Sequence, residues 1–187
     1  MAIIFELYAE CLQKEKADKL ATHFDSLDFH LHNGRIIKWK VARQNPGPQI
    51  YAVVVYSLDL SRSGVRSVQD AVESTECGLR LYHHLKSCPV FEFARVGWEV
   101  EMVTMLDLKE YIEPMGDTGE LYCHLQCVIS CNLYEQLERP KFFREFLPGY
   151  VWNTYCGEKY HPLLSSDQEE LNETYRELFP EMFSHKQ

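Results

Sequence analysis

Apolar and polar positions alternate, or recur with helical spacing, along the first part of the chain. Residues 2–8 are apolar on both alternating faces except at Glu6, a pattern that predicts a strand inside a sheet. Between Cys11 and Leu27, apolar residues recur every three or four positions with charges between them. This spacing predicts an amphipathic helix that carries Leu12 on its apolar face.

Two further strands and a turn are predicted between residues 35 and 56. Residues 35–43 alternate between apolar and basic positions, as a half-buried strand does. Residues 50–56 are apolar on both faces, and the run 45–48 (Asn-Pro-Gly-Pro) separates the two strands. Asn33-Gly34 favours a tight connection, so an additional short strand is predicted at 28–32.

A long helix and a fourth strand complete the pattern of residues 1–97. Ser67 is a candidate N-cap for a helix of about five turns that ends before Pro89. Val90 to Val96 alternates again and predicts a strand. The order β-α-β-β-α-β is that of the split βαβ, or ferredoxin-like, arrangement, in which two helices cover one face of an antiparallel sheet. Residues 1–97 are therefore predicted to form an α+β core of this kind.

Residues 98–187 have a less regular pattern, which predicts a second α+β region. The predicted elements are a strand at 99–105, a helix at 107–112, a strand at 121–131, a helix at 132–139 and a final helix from 166 to 180. Asn132 with Glu135, and Ser166 with Glu169, have the spacing of helix capping boxes.

The second region is expected to pack on the first as an acidic extension. A lone split βαβ sheet leaves one face bare, and a few hundred Å² of exposed apolar surface costs several kcal/mol at about 25 cal/mol per Å². We expect residues 98–187 to cover that face as part of one compact unit. The alternative is that they extend an edge of the sheet while a two-fold partner closes the face in a homodimer.

Charge is divided unevenly along the chain and bears on the choice of partner. Residues 1–97 have a net charge of +1, whereas residues 98–187 have a net charge of −10. An acidic surface argues against a nucleic-acid partner and favours a basic protein or a cation. No apolar run approaches the roughly 18 residues that span a bilayer, so no membrane contact is predicted. Seven cysteines without a Cys-x-x-Cys pair, and no export signal, predict reduced thiols and a cytoplasmic location.

The segment 150–161 is the most unusual stretch, with four aromatic residues in twelve. Its titratable side chains are weak candidates for a nucleophile or an acid–base pair: Cys156, Glu158 and His161. Its other large side chains are weak candidates for ligand contacts: Trp152, Tyr155, Lys159 and Tyr160. The favoured interpretation is that the segment packs on the sheet.

Metal-ligating residue types occur in pairs and threes, but none of these sets predicts a metal site. Cys123, Cys127 and Cys131 are four residues apart, a spacing that also suits small buried side chains in a strand. His30 with His32, and His83 with His84, lack an identifiable third ligand. We therefore predict no metal and no cofactor.

The sequence alone does not identify a function, but it separates two hypotheses. The first is a non-enzymatic cytoplasmic binding module that engages a protein partner, or a second copy, through its acidic half. The alternative is a small-molecule enzyme with a pocket between the sheet face and segment 150–161. An enzyme needs convergent titratable groups in a concave site, whereas an interaction module needs an exposed contiguous patch.

Overall fold

The computed structural model describes residues 3–60, 63–112, 126–159 and 165–182. Within these ranges the strands are β1 (Phe5–Cys11), β2 (Asp28–His30), β3 (Ile36–Lys38), β4 (Lys40–Gly47), β5 (Ile50–Ser57), β6 (Phe93–Trp98), β7 (Cys127–Ser130), β8 (Arg144–Leu147) and β9 (Tyr150–Trp152). The helices are α1 (Lys14–Phe24), α2 (Val68–Ser87), α3 (Leu108–Ile112), α4 (Cys131–Gln136) and α5 (Ser165–Leu178). The protein is therefore a mixed α+β molecule.

Seven strands form one antiparallel sheet in the order β4-β5-β1-β6-β7-β9-β8, and β2 pairs with β3 in a separate hairpin. Strand β1 lies between β5 and β6, with Tyr8 opposite Val54 on one side and Arg95 on the other. Both β1 and β5 lie inside the sheet, as their two-sided apolar patterns predict. All seven residues of β1 are buried.

Helices α1 and α2 cover the first face of the sheet. Their apolar stripes, which include Leu20 and Leu81, pack against Phe5 and Leu7 of β1. The predicted N-cap of α2 is confirmed: the Ser67 hydroxyl accepts a hydrogen bond from the backbone N–H of Asp70 at 3.1 Å. Burial of these stripes supplies most of the stability of this layer.

The boundaries of two predicted elements differ from the structure. Strand β1 continues to Cys11, so α1 begins at Lys14 and Leu12 is 45% exposed instead of lying on the apolar face of a helix. The predicted strand 35–43 is interrupted at Trp39, whose N–H donates to the Leu27 carbonyl at 3.1 Å. The Trp39 ring packs 5.3 Å from that of Phe29. Because Trp39 is held in this way, the residues before it belong to β3 and the residues after it belong to β4.

Residues after Trp98 both extend the sheet and cover its second face. Strands β7, β9 and β8 continue the sheet beyond β6. The second face has a buried apolar cluster to which the sheet and the later segments both contribute: Tyr8, Ala52, Val54, Phe93, Cys127 and Ile129 from the strands, with Val100, Val103, Leu108 and Phe143 from the segments packed on them. The same chain therefore supplies apolar cover for this face.

Two predictions for the later residues are wrong. The predicted strand at 99–105 is instead a 3-10 turn at Val100–Met102, because Glu99 adopts a left-handed conformation with φ of 50° that ends the extended backbone. The cap of α4 is not Asn132 but Ser130, whose hydroxyl accepts from the N–H of Leu133 at 3.2 Å.

Some predictions concern residues outside the described ranges. Of the predicted strand 121–131, the structure describes Cys127–Ser130 as β7, and all four residues are buried. Residues 113–125, which include Cys123, lie outside the described ranges, as do Tyr160 and His161. The predicted final helix corresponds to α5, whose Leu171 and Tyr175 pack against α2 together with Phe179, the residue after the helix.

Candidate functional site

Tyr155 of the aromatic segment is wedged against α2. Its side chain is 1% exposed, and its ring centroid lies 5.4 Å from that of Tyr82. A Cβ atom built on Gly78 would lie 2.4 Å from the Tyr155 hydroxyl oxygen, so only glycine fits at this point of the helix. The Tyr155 hydroxyl donates to Oε1 of Glu158 at 2.8 Å. Tyr155 is thus a packing residue that also binds a carboxyl group.

Glu158 lies where the segment meets α2 and α5. Its backbone N–H donates to the Thr75 hydroxyl at 2.8 Å, and its carbonyl accepts from the Tyr175 hydroxyl at 2.6 Å. Burial raises the pKa of the Glu158 carboxyl to about 7, although the hydrogen bond from Tyr155 acts in the opposite direction. A perturbed carboxyl of this kind is common both at active sites and in buried structural networks.

The other described candidates of the segment lie apart from this pair. Cys156 is exposed, and its thiol donates to the Thr154 carbonyl at 3.4 Å. Lys159 is also exposed. Trp152 packs its ring 5.1 Å from that of Phe146 on the first face of the sheet. Of the described candidates, Tyr155 and Glu158 are therefore the pair that the fold brings into direct contact.

Within the described ranges, no three His, Cys, Asp or Glu side chains converge in a way that could hold a metal ion. His32 is instead paired with Glu76, its Nδ1 lying 2.7 Å from Oε2. Cys127 is buried in β7, and burial raises the pKa of its thiol to about 12. His32 therefore belongs to an ion pair and Cys127 to a buried strand, and neither belongs to a ligand cluster in the described ranges.

A surface groove lies where the end of β1 meets the segments that cover the second face. It has a volume of about 290 Å³, close to the lower end of the range for ligand pockets. Its walls come from four parts of the chain: Leu12 after β1, Glu92 before β6, Met105, Leu106 and Lys109 at α3, and Asn132, Leu133, Gln136 and Leu137 at α4. Leu12 is 45% exposed and Leu106 is 67% exposed. Nothing in the sequence pattern separates these two leucines from core residues. We call this site the α3–α4 groove.

Buried polar contacts fix the α4 wall of the groove. The Ser130 hydroxyl, which caps α4, donates to Oε2 of Glu92 at 2.6 Å. The other carboxylate oxygen of Glu92 lies 3.8 Å from Nζ of Lys16. One serine thus joins the first turn of α4 to the base of the groove, so the apolar side chains of that helix have a defined position.

The opposite wall is fixed by the turn that precedes α3. The backbone N–H and the hydroxyl of Thr104 both donate to Oδ2 of Asp107, at 2.9 and 2.7 Å. These hydrogen bonds lower the pKa of the Asp107 carboxyl. The N–H of Met105 donates to Oε2 of Glu10, on the central strand, at 2.7 Å. The wall is therefore attached to the middle of the sheet by a buried carboxyl group.

The segments that form the groove carry an excess of negative charge. Residues 99–112 and 126–147 contain seven carboxylate side chains and four lysines or arginines, a net charge of −3. Glu110 of α3 and Glu135 of α4 are exposed beside the groove-lining residues Lys109 and Gln136. The site therefore combines an apolar floor with acidic surroundings.

The chain was also compared with known proteins. No protein-family model, no curated protein and no solved structure matches it. Among the described helices, none is both long and apolar enough to cross a membrane.

Proposed function

We propose that the chain is a non-enzymatic interaction module that binds a short amphipathic helix of a partner protein in the α3–α4 groove. The observation that supports this proposal is the pair of exposed leucines, Leu12 and Leu106, which line the same groove. Contiguous exposed apolar surface bordered by polar groups is typical of protein interaction sites.

The energetic argument rests on the apolar area that a partner would remove from water. Met105, Leu133 and Leu137 line the groove together with the two exposed leucines. Completing the burial of one leucine side chain contributes about 1.5–3 kcal/mol at most, and less where the side chain is already partly covered. Two anchor side chains of a partner helix, inserted between these residues, bury apolar area on both partners, and only the surplus over the entropic cost of association appears as affinity, so we expect weak binding.

The charge around the groove selects the chemistry of the partner. The net charge of −3 on the groove segments favours a helix with basic residues beside its apolar anchors. The exposed Asn132 at the groove gives such a helix a polar contact. The occupant we propose is therefore a short helix with leucine-like residues at positions i and i+4 and lysine or arginine on its flanks.

A designed 14-residue peptide of leucine and lysine, with leucines on one helical face, is the probe for this proposal. Fluorescence anisotropy is used to measure its dissociation constant for the full chain. The double variant Leu12→Ser and Leu106→Ser is expected to bind roughly tenfold or more weakly, because two anchoring contacts are lost. Ile36→Ser is the matched control, since Ile36 is 46% exposed on the separate hairpin.

Two further peptides separate groove binding from simple charge attraction. A leucine–glutamate peptide of the same pattern is expected to bind weakly, and a serine–lysine peptide lacks the anchors. Equal affinity of the leucine–lysine peptide for the wild type, the double variant and Ile36→Ser would show that the groove is not the binding site. If the serine–lysine peptide bound as tightly as the leucine–lysine peptide, charge attraction alone would account for the binding.

The enzyme alternative has less support from the described geometry. Its strongest feature is the pKa of Glu158, raised to about 7 by burial. However, the Glu158 carboxyl is bonded to Tyr155 beside α2, and the exposed Cys156 donates its thiol to Thr154. We therefore favour binding over catalysis.

The finer fold and the location are also proposals. The strand order β4-β5-β1-β6, with α1 and α2 on one face, supports a ferredoxin-like core within residues 1–97. Six described cysteines are free thiols, and four of these are buried. Unpaired thiols suit a reducing compartment, which supports a cytoplasmic location.

A further inference from the structure

The central strand of the sheet carries two buried carboxyl groups on its covered face. Glu6 is 5% exposed and Glu10 is 0% exposed, and they lie two residues on either side of Tyr8. A charged carboxylate is costly to bury without a cationic partner. A strand of this kind would normally have apolar residues at such positions. The presence of two acids therefore needs a physical explanation.

Both carboxyl groups bind the backbone of residues 99–107, which we call the cover segment. Oε1 of Glu6 accepts from the N–H of Glu101 at 3.2 Å. Oε2 of Glu10 accepts from the N–H of Met105 at 2.7 Å, while its Oε1 accepts from the Tyr8 hydroxyl at 2.7 Å. Two points of the cover segment, four residues apart, are thus attached to one strand.

The groups that surround these carboxyls are mainly acidic. In the cover segment, the carboxylates of Glu99 and Glu101 raise the pKa of Glu6. The carboxylate of Asp107 raises the pKa of Glu10. Among the described residues, the other titratable or charged groups on this face are Tyr8 of β1, Tyr56 of β5, Lys40 of β4, Arg95 of β6, Cys127 of β7, Glu145 of β8 and Tyr134 of α4. Ionisation of Glu6 or Glu10 therefore places a negative charge beneath a segment that is itself negative.

We infer that the cover segment is a pH-sensitive wall of the α3–α4 groove, closed while Glu6 and Glu10 are protonated and released when they ionise. Opening brings both carboxylates into contact with water and detaches Met105 from the sheet, and Leu106, the next residue, moves with it. The hydrogen bonds from the Glu101 and Met105 amides show the attachment of the cover segment, and an ionised carboxylate would also accept them. Release on ionisation is argued from the burial of both carboxyl groups beneath an acidic segment, which acts against those hydrogen bonds. Its consequence for partner binding rests on the proposed function of the groove.

The direction of the effect follows from the ionisation of the two groups. Burial raises the pKa of Glu6, the hydrogen bonds from the cover segment lower it, and the carboxylates of Glu101 and Glu99 raise it, so that together these effects bring it to about 7. Burial also raises the pKa of Glu10. Because each pKa is higher in the closed state, the closed state holds more protons. Closure is therefore fully favoured below the ordinary pKa of glutamate and is lost as pH rises through about 7.

The size of the effect can be worked out for Glu6 alone. With a pKa of about 7 when closed and the ordinary value of 4.5 when open, raising the pH from 5 to 9 increases the opening equilibrium constant roughly 70-fold. Glu10 acts in the same direction. A change of this size is well within the range of a hydrogen-exchange measurement.

Hydrogen exchange of the full chain between pH 5 and pH 9 tests the inference. After correction for the intrinsic exchange rate, protection of the Glu101 and Met105 amides is expected to fall about 70-fold. The Ser130 amide, which donates to the Glu92 carbonyl at 2.8 Å in the sheet layer, is the internal reference and should keep its protection. Constant protection of the two cover amides over this range would overturn the inference. An equal fall at Ser130 would do the same, since it would indicate opening of the sheet itself.

Variants identify the groups responsible. In the double variant Glu6→Gln and Glu10→Gln, the amide oxygens still accept hydrogen bonds but no longer titrate, so protection of the cover amides should become nearly independent of pH. Glu110→Gln removes an exposed carboxylate of α3 and should leave the wild-type pH dependence unchanged. A double variant with the wild-type pH dependence would also refute the inference. If the double variant does not fold, the wild-type series decides the matter.

Peptide binding distinguishes this inference from the proposed function. The leucine–lysine peptide is expected to bind more tightly at pH 6 than at pH 9, although its lysines remain charged at both. Exchange that changes with pH, without any peptide binding, would support the wall and contradict the groove function. Peptide binding with constant exchange would support the function and refute the pH-sensitive wall.

Discussion

Replacing Gly78 by alanine is expected to destabilise the protein although the substitution improves the helix. Gly78 lies inside α2, where alanine is favoured over glycine by about 1 kcal/mol in the absence of tertiary contacts. The new Cβ would, however, lie 2.4 Å from the hydroxyl oxygen of Tyr155 and 2.6 Å from its Cζ atom. Because that side chain is almost fully buried, the ring has little room to move away.

The expected magnitude combines three contributions. Overpacking of a core site costs about 1–3 kcal/mol. Displacement of the Tyr155 hydroxyl from Glu158 leaves a partly buried carboxyl without its donor, at a cost of about 1–3 kcal/mol. After subtracting the helix gain, we expect the free energy of unfolding to fall by roughly 1–5 kcal/mol in Gly78→Ala.

Urea unfolding followed by circular dichroism measures this change, and a second background tests its cause. In Tyr155→Leu the hydroxyl, Cζ and Cε1 atoms are absent, so Gly78→Ala should then stabilise the protein by up to about 1 kcal/mol. The sign of the effect is therefore expected to reverse between the two backgrounds. If Gly78→Ala stabilises the wild type, or has the same effect in both backgrounds, the reasoning is wrong.

Three further predictions concern other parts of the molecule. The pKa of Glu158 is raised to about 7 in the folded state, so its contribution to stability is present at acidic pH and is lost as pH rises through about 7. In Glu158→Gln, chemical unfolding should therefore show a smaller fall in the unfolding free energy between pH 5 and pH 8 than in the wild type. The exposed thiol of Cys156 should react rapidly with a disulfide reagent in the native state, so Cys156→Ser should remove one rapidly reacting equivalent with little change in melting temperature. Arg35→Met should lower the unfolding free energy by about 1–3 kcal/mol, since it removes the cationic partner of the buried Glu73; an unchanged urea midpoint would contradict this.

Local patterns predicted most of the secondary structure because their physical causes are local. Ser67 caps α2 as its position before an apolar stripe indicates. The two-sided apolar pattern of residues 50–56 matches the interior position of β5. The break at Trp39 could not be predicted in this way, since it depends on a hydrogen bond to Leu27 and on packing against Phe29, which are tertiary contacts.

The candidate groove could not be predicted because its walls are distant in sequence. Leu12 and Leu106 are separated by more than ninety residues, and each looks like an ordinary core leucine in its own segment. Their exposure depends on where β1 ends and on how the turn before α3 is attached to Glu10. By contrast, segment 150–161 is recognisable from its aromatic composition. The role of its Tyr155 became visible only with the position of Gly78 on α2.

The central position of β1 has a consequence for synthesis on the ribosome. This strand is made before both of its neighbours, of which β5 ends at Ser57 and β6 ends at Trp98. At about 5–20 residues per second, several seconds pass between completion of the two neighbours. During that interval one long side of β1 has no strand to pair with, so a nascent chain stalled between these points should be the form most dependent on chaperones.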